Sequence, residues 1–273
     1  MRDKNHIQSL ERGLRLLEMV GEASPPPSLT EIARQMDLNK TTTQRFLQTL
    51  CTLGYLNRTE NKRFVWGHRV LRLGYKYLDN ANLVQVAQSF IDAFSAEVTG
   101  TINLAVLEQS EVVFIYRKEV RRFLNFDLHA GSRLPAHCTA SGKALLSDLE
   151  DPKLREILAQ MELERVTSRT LTSKQALWDD LMQTRQRGYS ICDRELSMDL
   201  ISMGVLLYEH SGKALAAMNL SLNAKDCDDG HLKLSAAQLM QTGKAISRAL
   251  GYRGNYPRQR SAFDNQNAAG HTG

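Results

Sequence analysis

Residues 29–56 read LTEIARQMDLNKTTTQRFLQTLCTLGYL, and this stretch decides the architecture of the N-terminal part of the chain. Leu29, Ile32, Ala33 and Met36 recur at three- and four-residue intervals, which lays one apolar stripe along a helix, while Thr30, Glu31, Arg34 and Gln35 face away. Ser28 is placed to cap that helix, with Glu31 as its capping-box partner. Asp37, Leu38 and Asn39 break the pattern, and Phe46, Leu47, Leu50 and Leu53 then resume helical spacing. Two short helices sharing a small core across a tight polar break have the form of a helix-turn-helix.

The second helix opens on polar residues without a carboxylate, and from Leu38 to Thr59 there is no Asp or Glu. A helix N-terminus presents free backbone amides and a partial positive charge, so Lys40, Thr41, Thr42 and Thr43 suit phosphate oxygens and base edges. Gln44 and Arg45 are the side chains best placed to read a groove, since Gln pairs bidentately with adenine and Arg with guanine. A helical hairpin with a solvated polar face is the competing reading, and what flanks the stretch weighs against it. Gly54 can end the helix, Tyr55–Arg58 and Arg63–Trp66 alternate as short strands, and residues 59–62 form a polar turn. A β-hairpin in this place is a wing, on which Arg58, Lys62 and Arg63 put positive charge suited to DNA backbone or minor groove. Upstream, Ile7, Leu10, Leu14, Leu17 and Val20 mark a further helix to close the small core, stopped by Pro25, Pro26 and Pro27.

A chain of 273 residues accommodates two domains at roughly 100–200 residues each. Its 35 Lys+Arg against 30 Asp+Glu leave a net charge of +5, compatible with a nucleic-acid partner but too small to diagnose one. No apolar run reaches the length of about 18 residues that a membrane span needs, and the N-terminus lacks a signal-peptide core, so no membrane partner is expected and the cytoplasm is the expected compartment. Cys51, Cys138, Cys192 and Cys227 form no CxxC pair, and His137 beside Cys138 has no further ligand at fixed spacing, so neither disulfides, nor a metal, nor any other cofactor is expected.

Beyond the wing, residues 68–78 read HRVLRLGYKYL, whose apolar face is too wide for a lone solvated helix. Helical spacing returns over Leu83–Val98, strands are expected at Thr101–Leu107 and Val112–Arg117, and an extended stretch at Phe123–Leu128. Helices are expected over Thr139–Leu149, Pro152–Met161 and Ser173–Arg187. Tyr189–Cys192, Ile201–Tyr208 and Ala214–Leu220 read as strands and Ser235–Leu250 as a final helix. This is a sheet with flanking helices. Arg117, Lys118, Arg121 and Arg122 read as a solvated connection or subunit contact, and the Gly-, Asn- and Gln-rich tail from Gly254, with Arg258 and Arg260, as solvated chain.

The order IQSLERGLRLLEMV, the opening stretch, RFVWGHRVLRLGYKYL, LPAHCTASGKALLS, RGYSICDREL and GKALAAMNLSL resembles the IclR family of bacterial transcriptional regulators from Ile7 to about Tyr252. The resemblance implies a two-domain α+β chain. Its parts are a winged helix-turn-helix over residues 1–67, a linker helix over 68–80, a C-terminal GAF-like α/β effector and oligomerisation domain over 81–252, and an unstructured tail over 253–273. It further implies a sequence-specific regulator of a bacterial catabolic operon, bound as a homodimer or tetramer to a double-stranded DNA operator, with RNA polymerase as partner if it activates. The implied effector is a small organic acid, aromatic acids included. Carried over by position, the residues that hold it are Ala140, Ser141, Cys192, Asp193, Ser202, Asn219 and Ser221.

The chain departs from the family pattern there. Asp199, Gly204, Val205 and Leu206 replace a Gly and an Ala-Ala-Pro run, Met198 and Met203 add bulk, and Asn219 stands where Ser is frequent. A larger or more apolar acid is therefore as open as a two- or three-carbon one. His137, Cys138, Ser141, Lys143 and Asp193 contain the types of a nucleophile, base and acid, but adjacent residues on extended chain point opposite ways, and neither a phosphate loop nor a nucleophile elbow is present. No catalysis is expected. A DNA-binding protein without ligand control remains the alternative.

Overall fold

The computed structural model describes residues 6–73, 83–120 and 128–258, in two compact units, Met1–Asn80 and Ala81–Gly273. In the first unit, helix α1 (Gln8–Glu22) precedes α2 (Leu29–Gln35) and α3 (Lys40–Thr52), and strands β1 (Leu56–Arg58) and β2 (Phe64–Trp66) pair antiparallel as the wing. The expected capping box is complete. Ser28 Oγ accepts from Glu31 N and Glu31 Oε2 accepts from Ser28 N at 2.7 Å, which holds the Glu31 carboxyl below the usual glutamate range. Asn39 Oδ1 accepts from Thr42 N at 2.8 Å and starts α3, while Gly54 follows its end at φ +76°. Leu16, Val20, Ile32, Leu47, Leu56 and Phe64 form the core, and Trp66 Nε1 donates to Leu17 O at 2.8 Å to tie the wing to α1.

The apolar face of α1 is wider than this core. Leu16 and Val20 are buried, whereas Ile7, Leu10 and Leu14, expected inside, are 62%, 58% and 52% exposed on the outer edge of the same face. Residues 68–73 are helical. The remainder of the expected linker helix, Arg121, Arg122, the extended stretch at 123–127 and the tail from 259 lie outside the described residues.

In the second unit, α4 (Leu83–Ser95) leads into β3 (Thr101–Glu108), β4 (Glu111–Glu119) and β5 (Arg133–Pro135). Helices α5 (Ala140–Ser147), α6 (Asp151–Gln160) and α7 (Lys174–Arg187) follow, then β6 (Ser190–Asp193), β7 (Leu200–Tyr208), β8 (Ala214–Asn223) and α8 (Asp229–Ala249). The strands form one antiparallel six-stranded sheet in the order β5-β4-β3-β8-β7-β6. Alternation along β7 separates two helical layers. A Cβ on Gly204 would lie 2.7 Å from Ala140 O of α5, whereas the next residue, Val205, lies against Gly243 of α8. Ala105, Phe114, Ala144, Leu146, Leu154, Leu177, Leu181 and Ala217 pack the α5 side into a core.

Two expectations change. Helix α8 begins at Asp229, not Ser235, because Asp228 caps it by accepting from His231 N at 2.7 Å, which makes a helix start of an acidic, glycine-containing run. The tail expected to be solvated from residue 253 is packed as far as Arg258. Tyr256 Oη donates to Leu206 O at 2.9 Å, Pro257 lies against Gly188, and Arg258 donates to Gly212 O at 3.0 Å. Apolar contact and three satisfied backbone or side-chain groups outweigh the chain entropy lost there.

Candidate functional site

Two surfaces gather the residues that the sequence singles out. On α3, Lys40, Thr41, Gln44 and Arg45 are exposed, and Gln48, which sequence reasoning missed, is exposed one turn on, along the same helical face. Arg58 and Lys62 are exposed on the wing, with the Arg58 guanidinium over the Phe64 ring. Thr42 is half-buried. Thr43 corrects the expectation: it is fully buried and its hydroxyl donates to Asn39 O at 3.0 Å, because it lies on the core side of α3 with Leu47. Its side chain cannot touch a nucleic acid. Arg63 is also engaged by the fold, donating to Pro26 O at 2.6 Å and to Glu31 Oε2 at 3.2 Å, which joins the wing to the start of α2.

The second surface is a recess of about 430 Å³, its open mouth included, between the sheet and α5. Cross-strand register builds it. Asn103 of β3 stands opposite Arg117 of β4 on one side and Asn219 of β8 on the other; Ser221 of β8 stands opposite Ser202 of β7, itself opposite Cys192 of β6. Directly opposed residues share a face of a sheet. These two adjacent rows put polar groups where the rest of the face is apolar, and α5 brings Ala140 and Ser141 over them. Gly204 of β7 permits that approach, since a Cβ there would lie 2.7 Å from Ala140 O.

The polar groups satisfy one another. Ser141 Oγ and Asn103 Nδ2 both donate to Asn219 Oδ1, at 2.9 and 3.3 Å, and Asn219 Nδ2 donates to Ser221 Oγ at 2.9 Å. The Ser221 and Ser202 hydroxyls lie 2.9 Å apart, and Arg117 donates to Asn103 Oδ1 at 3.0 Å. Phe114, Leu128, Leu134, Leu196 and Leu200 complete the lining as apolar walls. A register shift between Leu104 and Ala105 sets Ala105 opposite Phe114 and Asn103 opposite Arg117, so these two β4 residues face the same recess although three positions apart.

Of the expected effector residues, all but Asp193 line this recess. Asp193 follows Cys192 on β6 and so points to the other side, where its carboxylate meets Arg169 at 2.6 Å and Arg194 at 2.7 Å. Sequence reasoning missed Asn103 and Arg117. The latter lies on a strand with its side chain 11% exposed rather than in a solvated connection. Only the bulge, invisible in the period-two pattern, turns Arg117 inward.

The groups weighed as an acid–base set are held apart. Burial pushes the Cys138 thiol up to about 12 and the Cys192 thiol higher still, with Cys192 Sγ donating to Cys138 O at 2.9 Å, so both stay protonated. Burial holds His137 below the usual histidine range, and its Nε2 meets Glu164 O at 3.0 Å. Lys143, 1% exposed, pairs with Glu195 and with Asp180 at 3.0 Å. Burial would lower it, and the Glu195 and Asp180 carboxylates outweigh that and keep it charged. Among the described residues no group of His, Cys, Asp or Glu has the arrangement of a metal site, and no helix is long and apolar enough to cross a membrane.

Comparison with known proteins agrees with this geometry. The model of the IclR helix-turn-helix domain matches residues 9–60 and that of the bacterial transcriptional regulator IclR C-terminal domain matches residues 75–248. The Pca regulon regulatory protein of Pseudomonas putida is 34% identical over 80% of this chain and 75% of its own. The p-hydroxybenzoate hydroxylase transcriptional activator of Acinetobacter baylyi is 34% identical over 80% and 82%. An IclR homolog from Microbacterium hydrocarbonoxydans, crystallised in complex with 4-hydroxybenzoate, shares the fold with a TM-score of 0.79 at 24% identity, over 89% of this chain and 99% of that one. With its winged helix-turn-helix and its sheet-and-helix C-terminal unit, the chain belongs to the IclR family of bacterial transcriptional regulators.

Proposed function

We propose that this regulator binds a double-stranded operator through Lys40, Thr41, Gln44, Arg45 and Gln48 of α3 and Arg58 and Lys62 of the wing, and that a small organic acid in the C-terminal recess sets its operator affinity. The observation that carries the reading is the convergence of Ala140, Ser141, Cys192, Ser202, Asn219 and Ser221 on one recess with polar and apolar walls. Such a lining binds an acid without transforming it: the thiols are protonated and Lys143 is ion-paired, so the chain acts as a regulator and not as an enzyme. The name of one relative, the p-hydroxybenzoate hydroxylase transcriptional activator, points to aromatic acid catabolism as the regulated chemistry.

In this reading DNA binding belongs to residues 1–67, a linker to 68–80, and effector binding and oligomerisation to 81–252. The outer stripe of Ile7, Leu10 and Leu14 on α1 is an apolar surface that a second copy of the chain would cover, giving the homodimer that a two-fold operator requires. The protein works in the cytoplasm, beside its DNA, and where it activates it does so with RNA polymerase.

The test is retardation of DNA from the regulator's own upstream region, with and without a panel of aliphatic and aromatic acids. A several-fold change in affinity with one chemical class is the expected result; specific binding indifferent to every acid would leave a DNA-binding protein without ligand control.

A further inference from the structure

One apolar wall of the recess stands on a connection that a buried charge holds in place. Residues 194–199 join β6 to β7, and Leu196 within them lines the recess beside Leu200. The connection opens on Arg194 at φ +58°, a conformation that a side chain disfavours and that persists only where neighbours hold it. Groups outside the connection do so. Thr167 Oγ1 donates to Arg194 O at 2.7 Å, Thr170 Oγ1 donates to Glu195 O at 2.7 Å, and the Lys143 ammonium of α5 pairs with the Glu195 carboxylate. Arg194 N donates to Leu200 O and Leu200 N to Ser197 O, which closes the turn on itself. Lys143 lies two residues beyond Ser141, so one helix carries both a recess hydroxyl and the ammonium that grips this connection.

A buried ion pair is a poor source of stability, because the cost of taking two charges out of water offsets most of their attraction; what it supplies is a defined position. This pair can also part. Burial is the largest influence on the Glu195 carboxyl and pushes it above the usual glutamate range despite Lys143, so its charged form is favoured less in place than in water. Lys143 has a second carboxylate, that of Asp180 on α7, at 3.0 Å, while Arg187 stands farther from Asp180, at 3.7 Å. When Glu195 withdraws, Lys143 keeps a counter-charge, and the severe penalty of an unpaired buried ion does not arise.

We propose that residues 194–199 are a gate on the recess, that Lys143 latches it through Glu195, and that Asp180 takes over Lys143 when the gate opens. Neither Lys143 nor Glu195 lines the recess. They are positioning residues, which set how readily the recess admits and releases a ligand. The inference rests on the effector reading above, and its test needs no effector, so the two can fail separately.

Hydrogen exchange of the full-length chain reads the gate, because the Arg194 and Leu200 amides are bonded within the connection and exchange as it opens. Glu195→Gln should speed both roughly tenfold, as the loss of a charge-assisted hydrogen bond implies, while amides of β3 and α8 keep their native rates. Asp180→Asn should slow both several-fold, since opening would then leave Lys143 unpaired. Opposite signs separate a gate from a merely structural charge cluster, which both substitutions would loosen. Thr167→Val removes the hold on Arg194 without changing a charge, and it keeps the test valid if a charge variant fails to fold. It should speed the same two amides and raise iodoacetamide alkylation of Cys192, a buried residue of the recess lining, relative to Cys227 outside it. The latch is overturned by native rates at Arg194 and Leu200 in Glu195→Gln or Thr167→Val, by exchange that rises across the whole C-terminal unit, or by the same sign in Glu195→Gln and Asp180→Asn. Unchanged Cys192 alkylation in Thr167→Val, with the two amides quickened, overturns the link between this connection and access to the recess.

Discussion

The DNA-reading surface and the effector recess are built by opposite means. Lys40, Thr41, Gln44, Arg45 and Gln48 come from one helix and are neighbours because α-helical residues three or four apart share a face. The recess draws Asn103, Arg117, Ser141, Cys192, Ser202, Asn219 and Ser221 from separate strands and a helix, and they meet only through strand register. Local geometry governs the first and long-range pairing the second. A substitution on the exposed face of α3 should therefore act on affinity alone, whereas one in the recess risks the unit that holds it.

The sharpest break in that comparison would be made at Gly142. A side chain there meets backbone of Ala136 at 2.2–2.6 Å, and no rotamer relieves it. Gly142→Val should destabilise the second unit by about 3 kcal/mol or more. Denaturant unfolding followed by near-ultraviolet circular dichroism reads this, and a native-like midpoint would show that α5 can shift away from the turn at Ala136.

Next in size are the base readers. Arg45→Ala and Gln44→Ala should each lower specific operator affinity by roughly 1–3 kcal/mol with melting unchanged. Retained specificity in both would remove them from the base-reading role. Thr43→Ala is the contrasting variant on the same helix. It removes one of the two donors on Asn39 O, which keeps the backbone N–H at position 43, and leaves a small void beside Leu47, so stability should fall by roughly 1 kcal/mol while affinity per folded molecule holds.

The smallest effect lies in the capping box. Hydrogen bonds from Ser28 lower the Glu31 carboxyl, with lesser help from Arg63 and Arg34, so its stabilisation is fully present above the ordinary glutamate range and is lost as pH falls through its own lower value. Native chain and Glu31→Gln should therefore differ in melting temperature at neutral pH and converge in acid. A difference that does not shrink as the pH falls would assign the effect to packing rather than charge.

The same contrast explains what could be read from the amino acids alone. The helix-turn-helix and wing are legible because their signals are local: the Ser28–Glu31 box, the break at Asp37, Leu38 and Asn39, Gly54 and alternation in the wing. Thr43 was not, because adjacent threonines look alike until the helical phase assigns one to the core. Ala140, Ser141, Ser202, Asn219 and Ser221 were legible through the family motifs, and Asp193 misled because position alone ignores which side of β6 it faces. Arg117 was hidden by a bulge, which shifts register without leaving a residue signature. Asn219, a departure from the commoner Ser, is the hub that both accepts from Ser141 and Asn103 and donates to Ser221, a role that only the three-dimensional arrangement reveals.

The central claim is that occupancy of the recess controls operator binding, and linkage makes it measurable. Operator affinity of the native chain and of Asn219→Leu would be titrated across concentrations of an acid shown by calorimetry to bind the native protein. The acid should shift native affinity by about 5–150-fold, in either direction, and Asn219→Leu, checked by circular dichroism to be folded at the assay temperature, should keep its acid-free affinity while losing the shift. Native operator affinity that stays constant while the acid saturates the recess would contradict it.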